Sequence, residues 1–171
     1  MSGTVLKLSG RAWTFGDNID TDVLAPGIYM KLPIEQAAQH CLEALDPEFA
    51  RQVAPGDIVV GGANFGLGSS REQAAQALKV LGVSAVLAQG FARIFYRNAI
   101  NLGLPALFFP EAAQTRRHDL LEIDLEQGTV HNSSTGKLYR VEPVPSHLLQ
   151  LLNDGGLMPH LKKKLAAGRS S

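Results

Sequence analysis

The run Gly61-Gly62-Ala63-Asn64-Phe65-Gly66-Leu67-Gly68-Ser69-Ser70-Arg71-Glu72-Gln73 constrains this chain more than any other stretch. It follows a strand-like segment, Asp57-Ile58-Val59-Val60, and leads into a helical pattern in which Ala74, Ala77, Leu78 and Leu81 share one face. Gly61, Gly62, Gly66 and Gly68 open backbone conformations closed to other residues and let a ligand approach the main chain. Ser69, Ser70 and Arg71 then fall where a helix begins, and free N–H groups and the helix dipole favour anions there. Two hydroxyls, a fixed cation and such a helix end point to chemistry on a carboxylate or a phosphate.

Familiar glycine-rich motifs do not fit the spacing. A phosphate loop requires a lysine where this chain has Ser69, and Gly62 and Gly68 are one residue too far apart. The dinucleotide fingerprint lacks its third glycine after Gly66-Leu67-Gly68. The hydrolase elbow is absent around both serines. A plainer reading remains: Ser70-Arg71-Glu72-Gln73 has the form of a capping box, with an overlapping one from Ser69 to Glu72. Capping accounts for one serine. It leaves the glycines, the second serine and the arginine unexplained, and the combination favours a site.

Lys+Arg and Asp+Glu both number 16, so the formal charge is zero, which argues against a nucleic-acid surface. The 171 residues fit one domain with a good core, and 45% hydrophobic with 19% charged residues is an ordinary globular composition. No apolar run is long enough to span a bilayer and no signal-peptide pattern opens the chain, so a cytoplasmic location is the default expectation. The single cysteine, Cys41, cannot form an internal disulfide or by itself hold an iron–sulfur cluster or structural zinc, and it reads as a small buried residue. The five histidines are scattered without metal-site spacing and read as surface or loop residues with no assigned role.

Along the chain, Leu6 to Phe15 reads as a strand and Gly16-Asp17-Asn18 as its turn. Asp20-Thr21-Asp22 has the look of a turn with an Asx cap. A helix is expected over Ile34 to Leu45. Beyond the serine helix come a strand at Ala85 to Ala88, a helix from Phe91 to Leu102 and a strand at Pro105 to Phe109. Strands alternating with helices on short links predict a parallel sheet with right-handed crossovers. Leu120 to Leu125, Thr129 to Asn132 and Lys137 to Val141, separated by Gly-containing turns, predict antiparallel pairs, and Leu148 to Asn153 a brief helix. The lysine run Lys162-Lys163-Lys164, with the residues from there to Ser171, reads as a polar, frayed, solvated tail. The expected fold class is therefore α/β, a parallel sheet core with a smaller antiparallel β region, in a single domain over 1–171.

Three stretches now carry a resemblance, in a fixed order: Asp17-Asn18-Ile19-Asp20-Thr21-Asp22, Asn64 to Glu72, and Phe91-Ala92-Arg93-Ile94-Phe95-Tyr96-Arg97-Asn98-Ala99-Ile100-Asn101. Together they resemble the small-subunit family of isopropylmalate isomerase and homoaconitase, which corresponds to the swivelling β/β/α domain of aconitase. The match runs from about Trp13 to Leu107. Leu67 stands where that family commonly has cysteine and Gln73 where it has histidine; neither position is given a chemical role there.

The resemblance implies a hydro-lyase half-enzyme that isomerises a hydroxy-diacid by dehydration and rehydration, active only with a large subunit holding a 4Fe–4S cluster. It implies Ser69 as the base beside a carboxylate, Arg71 as its electrostatic support, Ser70 as a donor to a substrate carboxylate and Asp22 as a group orienting a charged group brought in by the partner. Tyr29-Met30-Lys31-Leu32 is similar to the family's specificity loop, which makes Lys31 a candidate contact to the substrate's variable group. Arg93 is assigned to the fold, paired with an acidic residue. Isopropylmalate leads as substrate, with homocitrate or a methyl-substituted malate as the alternative. Outside the resemblance, a stand-alone anion-binding module or a regulatory subunit with a closed serine loop would use the same residues.

Overall fold

The computed structural model describes residues 7–169. Seven strands form one mixed sheet in the order β4-β3-β2-β1-β5-β6-β7. They are β1 (Lys7–Thr14), β2 (Ile58–Gly61), β3 (Ala85–Ala88), β4 (Ala106–Phe108), β5 (Leu120–Asp124), β6 (Thr129–Asn132) and β7 (Lys137–Arg140). The expected parallel core and antiparallel region are both present, and β1 belongs to both. Its second half runs parallel to β2, with Trp13 opposite Val59; its first half runs antiparallel to β5, with Ser9 opposite Glu122. Leu6, expected at the start of this strand, lies outside the described residues.

The helices are α1 (Thr21–Leu24), α2 (Ile34–Ala37), α3 (Phe49–Gln52), α4 (Glu72–Val80), α5 (Arg93–Asn101), α6 (Ser146–Asn153) and α7 (Leu157–Arg169). The central strands are buried on both faces, which explains their unbroken apolar sequences. Trp13, Val59 and Val86 pack under the α4–α5 side with Phe65, Leu78 and Phe95. Ile58, Val60 and Leu87 face the other way, against Leu121, Ile123 and Val130, with Leu148 and Leu152 of α6 at the margin.

One expectation fails here. The helix expected over Ile34 to Leu45 stops after one turn: α2 gives way to a 3-10 turn at Ala38–His40, and Leu42 takes a positive φ of 60°. The chain must turn there because Leu42 and Cys41 are both fully buried, and the Leu42 N–H donates to Val23 O at 3.0 Å instead of continuing a helix. The lysine run lies within α7 with its three lysines exposed, while Ser170 and Ser171 lie outside the described residues. Asp154 just before α7 accepts from His160 Nδ1 at 2.7 Å and from Lys163 Nζ at 3.1 Å, which ties its first turns down. Among the described residues no helix is long and apolar enough to cross a membrane.

Asp57, immediately before β2, anchors the edge of the core. Its carboxylate accepts from Trp13 Nε1 at 2.9 Å, from the Ala54 N–H at 2.9 Å, and from Arg11 through backbone N and Nη2. The Trp13 ring is packed edge-on to Phe49 and carries the guanidinium groups of Arg11 and Arg117 over its faces. Burial on its own would raise the Asp57 carboxyl, but the donors from Ala54, Trp13 and Arg11 outweigh it and hold the group below its usual range. The Asp57→Ala variant is expected to lose about 3 kcal/mol of unfolding free energy in denaturant titration, because a buried indole N–H loses its charged acceptor. The folded group stays ionised below the unfolded carboxyl value of about 4, so the stabilisation is full above that pH and fades as pH falls through and below it. The gap between wild type and variant should therefore narrow in acid; a gap that widens there would contradict an ionised Asp57.

Candidate active site

The serine loop leaves the carboxyl end of β2 and is stitched on both sides by backbone hydrogen bonds. On one side the Gly66 N–H donates to Ile19 O at 2.6 Å and the Thr21 N–H to Leu67 O at 2.8 Å. On the other, the Phe65 N–H donates to Gly90 O and the Ala92 N–H to Phe65 O. The three stretches singled out in the sequence are thus one structural unit, with the serine loop in the middle. Gly66 has φ +84°, and a Cβ there would stand 2.3 Å from Phe95, so the close packing of loop on α5 requires glycine. Asp17 Oδ1 accepts from the Ala63 N–H at 2.8 Å, and the Asn64 and Asn18 side chains are joined at 3.0 Å.

The capping box does not form. The N-cap of α4 is Arg71, with extended backbone and no side-chain capping bond. Ser69 and Ser70 are exposed, and among the described residues neither hydroxyl has an intramolecular partner. The backbone instead turns through Arg71 N–H to Ser69 O at 2.8 Å, which lifts both serines off the helix. Both hydroxyls and the first N–H groups of α4 therefore remain open to whatever the site binds.

Arg71 and Asp22 come together from residues far apart in sequence. Arg71 Nη1 donates to Asp22 Oδ1 at 2.5 Å and to Ala25 O at 3.1 Å. Asp22 also accepts the Gly27 N–H at 3.0 Å. The Arg71 hydrogen bond, reinforced by that of Gly27, holds the Asp22 carboxyl below its ordinary range, so it is ionised at neutral pH. The expected Asx cap is also present, but it is Asp20 that caps α1, accepting from the Val23 N–H at 2.8 Å; Asp22 is free to hold the arginine. Among the described residues Nη1 alone of Arg71 is engaged, which leaves Nε and Nη2 for a carboxylate.

Beside this pair lies a cavity of about 160 Å³ lined by Ala25, Pro26, Tyr29, Met30, Leu32, Ile34, Ala37, Gln73 and Gln76. Gln73, two residues past Arg71, faces it. Lys31 is exposed and is not among the lining residues, although Met30 and Leu32 on either side of it are. Arg93, expected to pair with an acidic residue, is exposed at the start of α5 and forms no ion pair among the described residues. Sequence reasoning missed His40, whose ring stacks on Tyr29 with centroids 3.6 Å apart; an isolated histidine in a misjudged helix carries no such signal.

Residues 19–112 match the model of the aconitase C-terminal domain. The chain is 52% identical to the small subunit 1 of 3-isopropylmalate dehydratase from Thermotoga maritima, over 91% of this chain and 95% of that one. It is 48% identical to the methanogen homoaconitase small subunit of Methanothermobacter thermautotrophicus, over 95% of each. Among solved structures, the crystal structure of 3-isopropylmalate dehydratase from Methanocaldococcus jannaschii superposes with a TM-score of 0.90 at 40% identity, covering 96% of this chain and 99% of that chain. With three bonded segments in the same order and relatives matched almost end to end, this chain belongs to the aconitase C-terminal-domain family, among the small subunits of 3-isopropylmalate dehydratase and homoaconitase.

Proposed function

We propose that this chain is the small subunit of a two-subunit hydro-lyase that removes water from a hydroxy-diacid and returns it at the neighbouring carbon, with 3-isopropylmalate as the leading substrate. The observation that carries the reading is the pair of hydroxyls, Ser69 and Ser70, unpartnered among the described residues, beside an arginine fixed by an ionised aspartate at the start of α4. Ser69 takes the proton from the carbon next to a substrate carboxylate. Serine is a poor base in water, and its alkoxide needs positive potential; Arg71 and the open N–H groups of α4 supply it. Ser70 donates to the substrate carboxylate, and the unused nitrogens of Arg71 bind it. Asp22 keeps the guanidinium from swinging out to solvent. It does so from an exposed position, with two-thirds of its own side chain in water, so its hold on Arg71 comes from the hydrogen bond and not from packing.

Membership in the aconitase family brings with it an iron–sulfur cluster, and the donors of this chain do not fit one. Its only cysteine, Cys41, is fully buried in the core, and burial pushes the thiol well above its ordinary range, away from the thiolate a cluster needs. Among the described residues no three or more His, Cys, Asp or Glu side chains gather as a metal site. We place the cluster in the large subunit, with the substrate closed between the two chains.

The substrate's variable group is assigned to the cavity beside Arg71. Its walls are mostly aliphatic, and its volume suits a compact branched alkyl group. Relatives of nearly equal identity carry the names homoaconitase and isopropylmalate/citramalate isomerase, and among these readings the mostly apolar lining of the cavity supports isopropylmalate. The alternative, a homocitrate-like acid, would place its extra carboxylate by Lys31, which is less suited than arginine to bidentate binding.

Three outcomes test this. The purified chain alone should be colourless and inactive, and dehydration of a malate-like acid by it without a partner would overturn the two-subunit reading. In the reconstituted pair, Ser69→Ala should lower kcat at least ~100-fold, the scale of general acid–base catalysis, with a much smaller change in substrate affinity. Near-normal turnover would remove Ser69 from the mechanism. Lys31→Val should leave the ratio of kcat/KM for isopropylmalate over a homocitrate-like acid within about twofold, since a solvated lysine contributes little. A large rise in that ratio would instead assign the variable group to Lys31.

A further inference from the structure

We infer that His40, fixed by Glu43, is a positioning residue for substrate selection: it stacks on Tyr29 and holds the loop that walls the cavity beside Arg71. The inference rests on the proposed function in one respect, that this cavity takes the substrate's variable group.

The geometry is specific. The Tyr29 and His40 rings are nearly parallel, 9° apart with centroids at 3.6 Å. His40 Nδ1 is 2.8 Å from Glu43 Oε1, so the imidazole is held from its far side and cannot turn out of the stack without losing that bond. Glu43 is in turn placed by the turn that ends the α2 segment, where its N–H donates to His40 O at 3.2 Å and the buried Leu42 locks to Val23. The clamp is therefore rooted in the core at one end and grips the loop at the other.

Beyond the stack, two side chains reach the loop: Asp22 accepts the Gly27 N–H at 3.0 Å, and Glu43 also engages the Tyr29 hydroxyl, so Glu43 touches both members of the stack. From Gly27 to Leu32 its internal bonds are three turn contacts: Tyr29 N–H to Pro26 O, Met30 N–H to Gly27 O, and Leu32 N–H to Tyr29 O. None of the residues Gly27–Tyr29 is buried, and Ile28 is 84% exposed. Yet Tyr29, Met30 and Leu32 line the cavity together with Gln73 of α4, and Ala25 at its inner end accepts from Arg71. The shape of the cavity thus depends on a nearly surface-borne turn, and the Tyr29–His40 stack is the ring contact that, with Asp22 at Gly27 and Glu43 at Tyr29, fixes it. A loop that samples other positions offers a formed cavity only part of the time, and apparent affinity falls by that fraction.

The test uses the reconstituted pair with His40→Ala and His40→Phe, together with hydrogen exchange of the Tyr29, Met30 and Leu32 amides in the full chain. His40→Ala should speed exchange at those amides and raise KM for the branched-alkyl substrate about five- to tenfold, the scale of an aromatic stack, with kcat changed less than about twofold. Selectivity over a homocitrate-like acid should fall by a similar factor. His40→Phe, which keeps the stack without the Glu43 bond, should recover most of both effects. His40 is about one-third exposed on its side chain, so Tm should barely move and a general loss of fold is separable. Unchanged exchange and KM in His40→Ala, or a phenylalanine variant no better than alanine, would overturn the clamp. Faster exchange with unaltered KM and selectivity would show that the loop is held by His40 but does not select substrate, which sinks the selection role. A wild-type pair inactive on every hydroxy-diacid would instead sink the functional reading itself.

Discussion

The site depends on a backbone constraint: the serine loop is bonded as a bridge between two other loops. Its carbonyls and N–H groups meet residues 19–21 on one side and residues 90–92 on the other. These are short parallel contacts at the carboxyl ends of neighbouring strands, the edge where open α/β sheets place their chemistry. Because the bonds are made by main chain, they leave the hydroxyls of Ser69 and Ser70 uncommitted to holding the loop. Glycine at 66 is what lets the bridge lie flat on Phe95. A loop fixed in this way can present two hydroxyls to solvent without the disorder that exposure would otherwise bring, and preorganisation of that kind is what electrostatic catalysis requires.

The same economy governs the charges. Arg71 commits one nitrogen to Asp22 and the Ala25 carbonyl, enough to fix the plane of the guanidinium. The two oxygens anchoring it come from opposite ends of α1, so α1 acts as a small frame for one side chain. An ionised Asp22 lowers the net positive potential near Ser69, which works against an alkoxide. The arrangement trades some potential for a fixed direction.

Much of this was legible in the sequence, for identifiable reasons. The alternation of apolar strands and helices pointed to the parallel core because those strands are buried on both faces and leave no ambiguity of pattern. The glycine–serine run was legible because no combination of local propensities explains it. The capping box misled, since Ser70 and Gln73 have the right spacing but Gly68 and Ser69 route the backbone so that Arg71 takes the N-cap position. The Ile34 to Leu45 pattern misled because its apolar residues serve a buried turn: Leu42 points to Val23 and the core, not along a helix face. Tertiary partners decide each of these, and spacing within one segment does not register them.

Long-range pairs are where sequence reading stops. Arg71 with Asp22, Trp13 with Asp57 and Leu42 with Val23 join segments whose proximity is set only once the sheet is closed. Of these, Asp57 sits beneath the strand that launches the serine loop and Asp22 beside the loop's end, so two carboxylates bracket it at different depths. The deeper one is shielded and stabilises the fold; the outer one is exposed and aims a cation. Their lowered proton affinities have the same sign but unlike origins, buried N–H donors against a burial penalty in one case and a surface guanidinium in the other. Salt should therefore weaken the outer pair before the inner one, because exposed charges are screened and desolvated ones much less so.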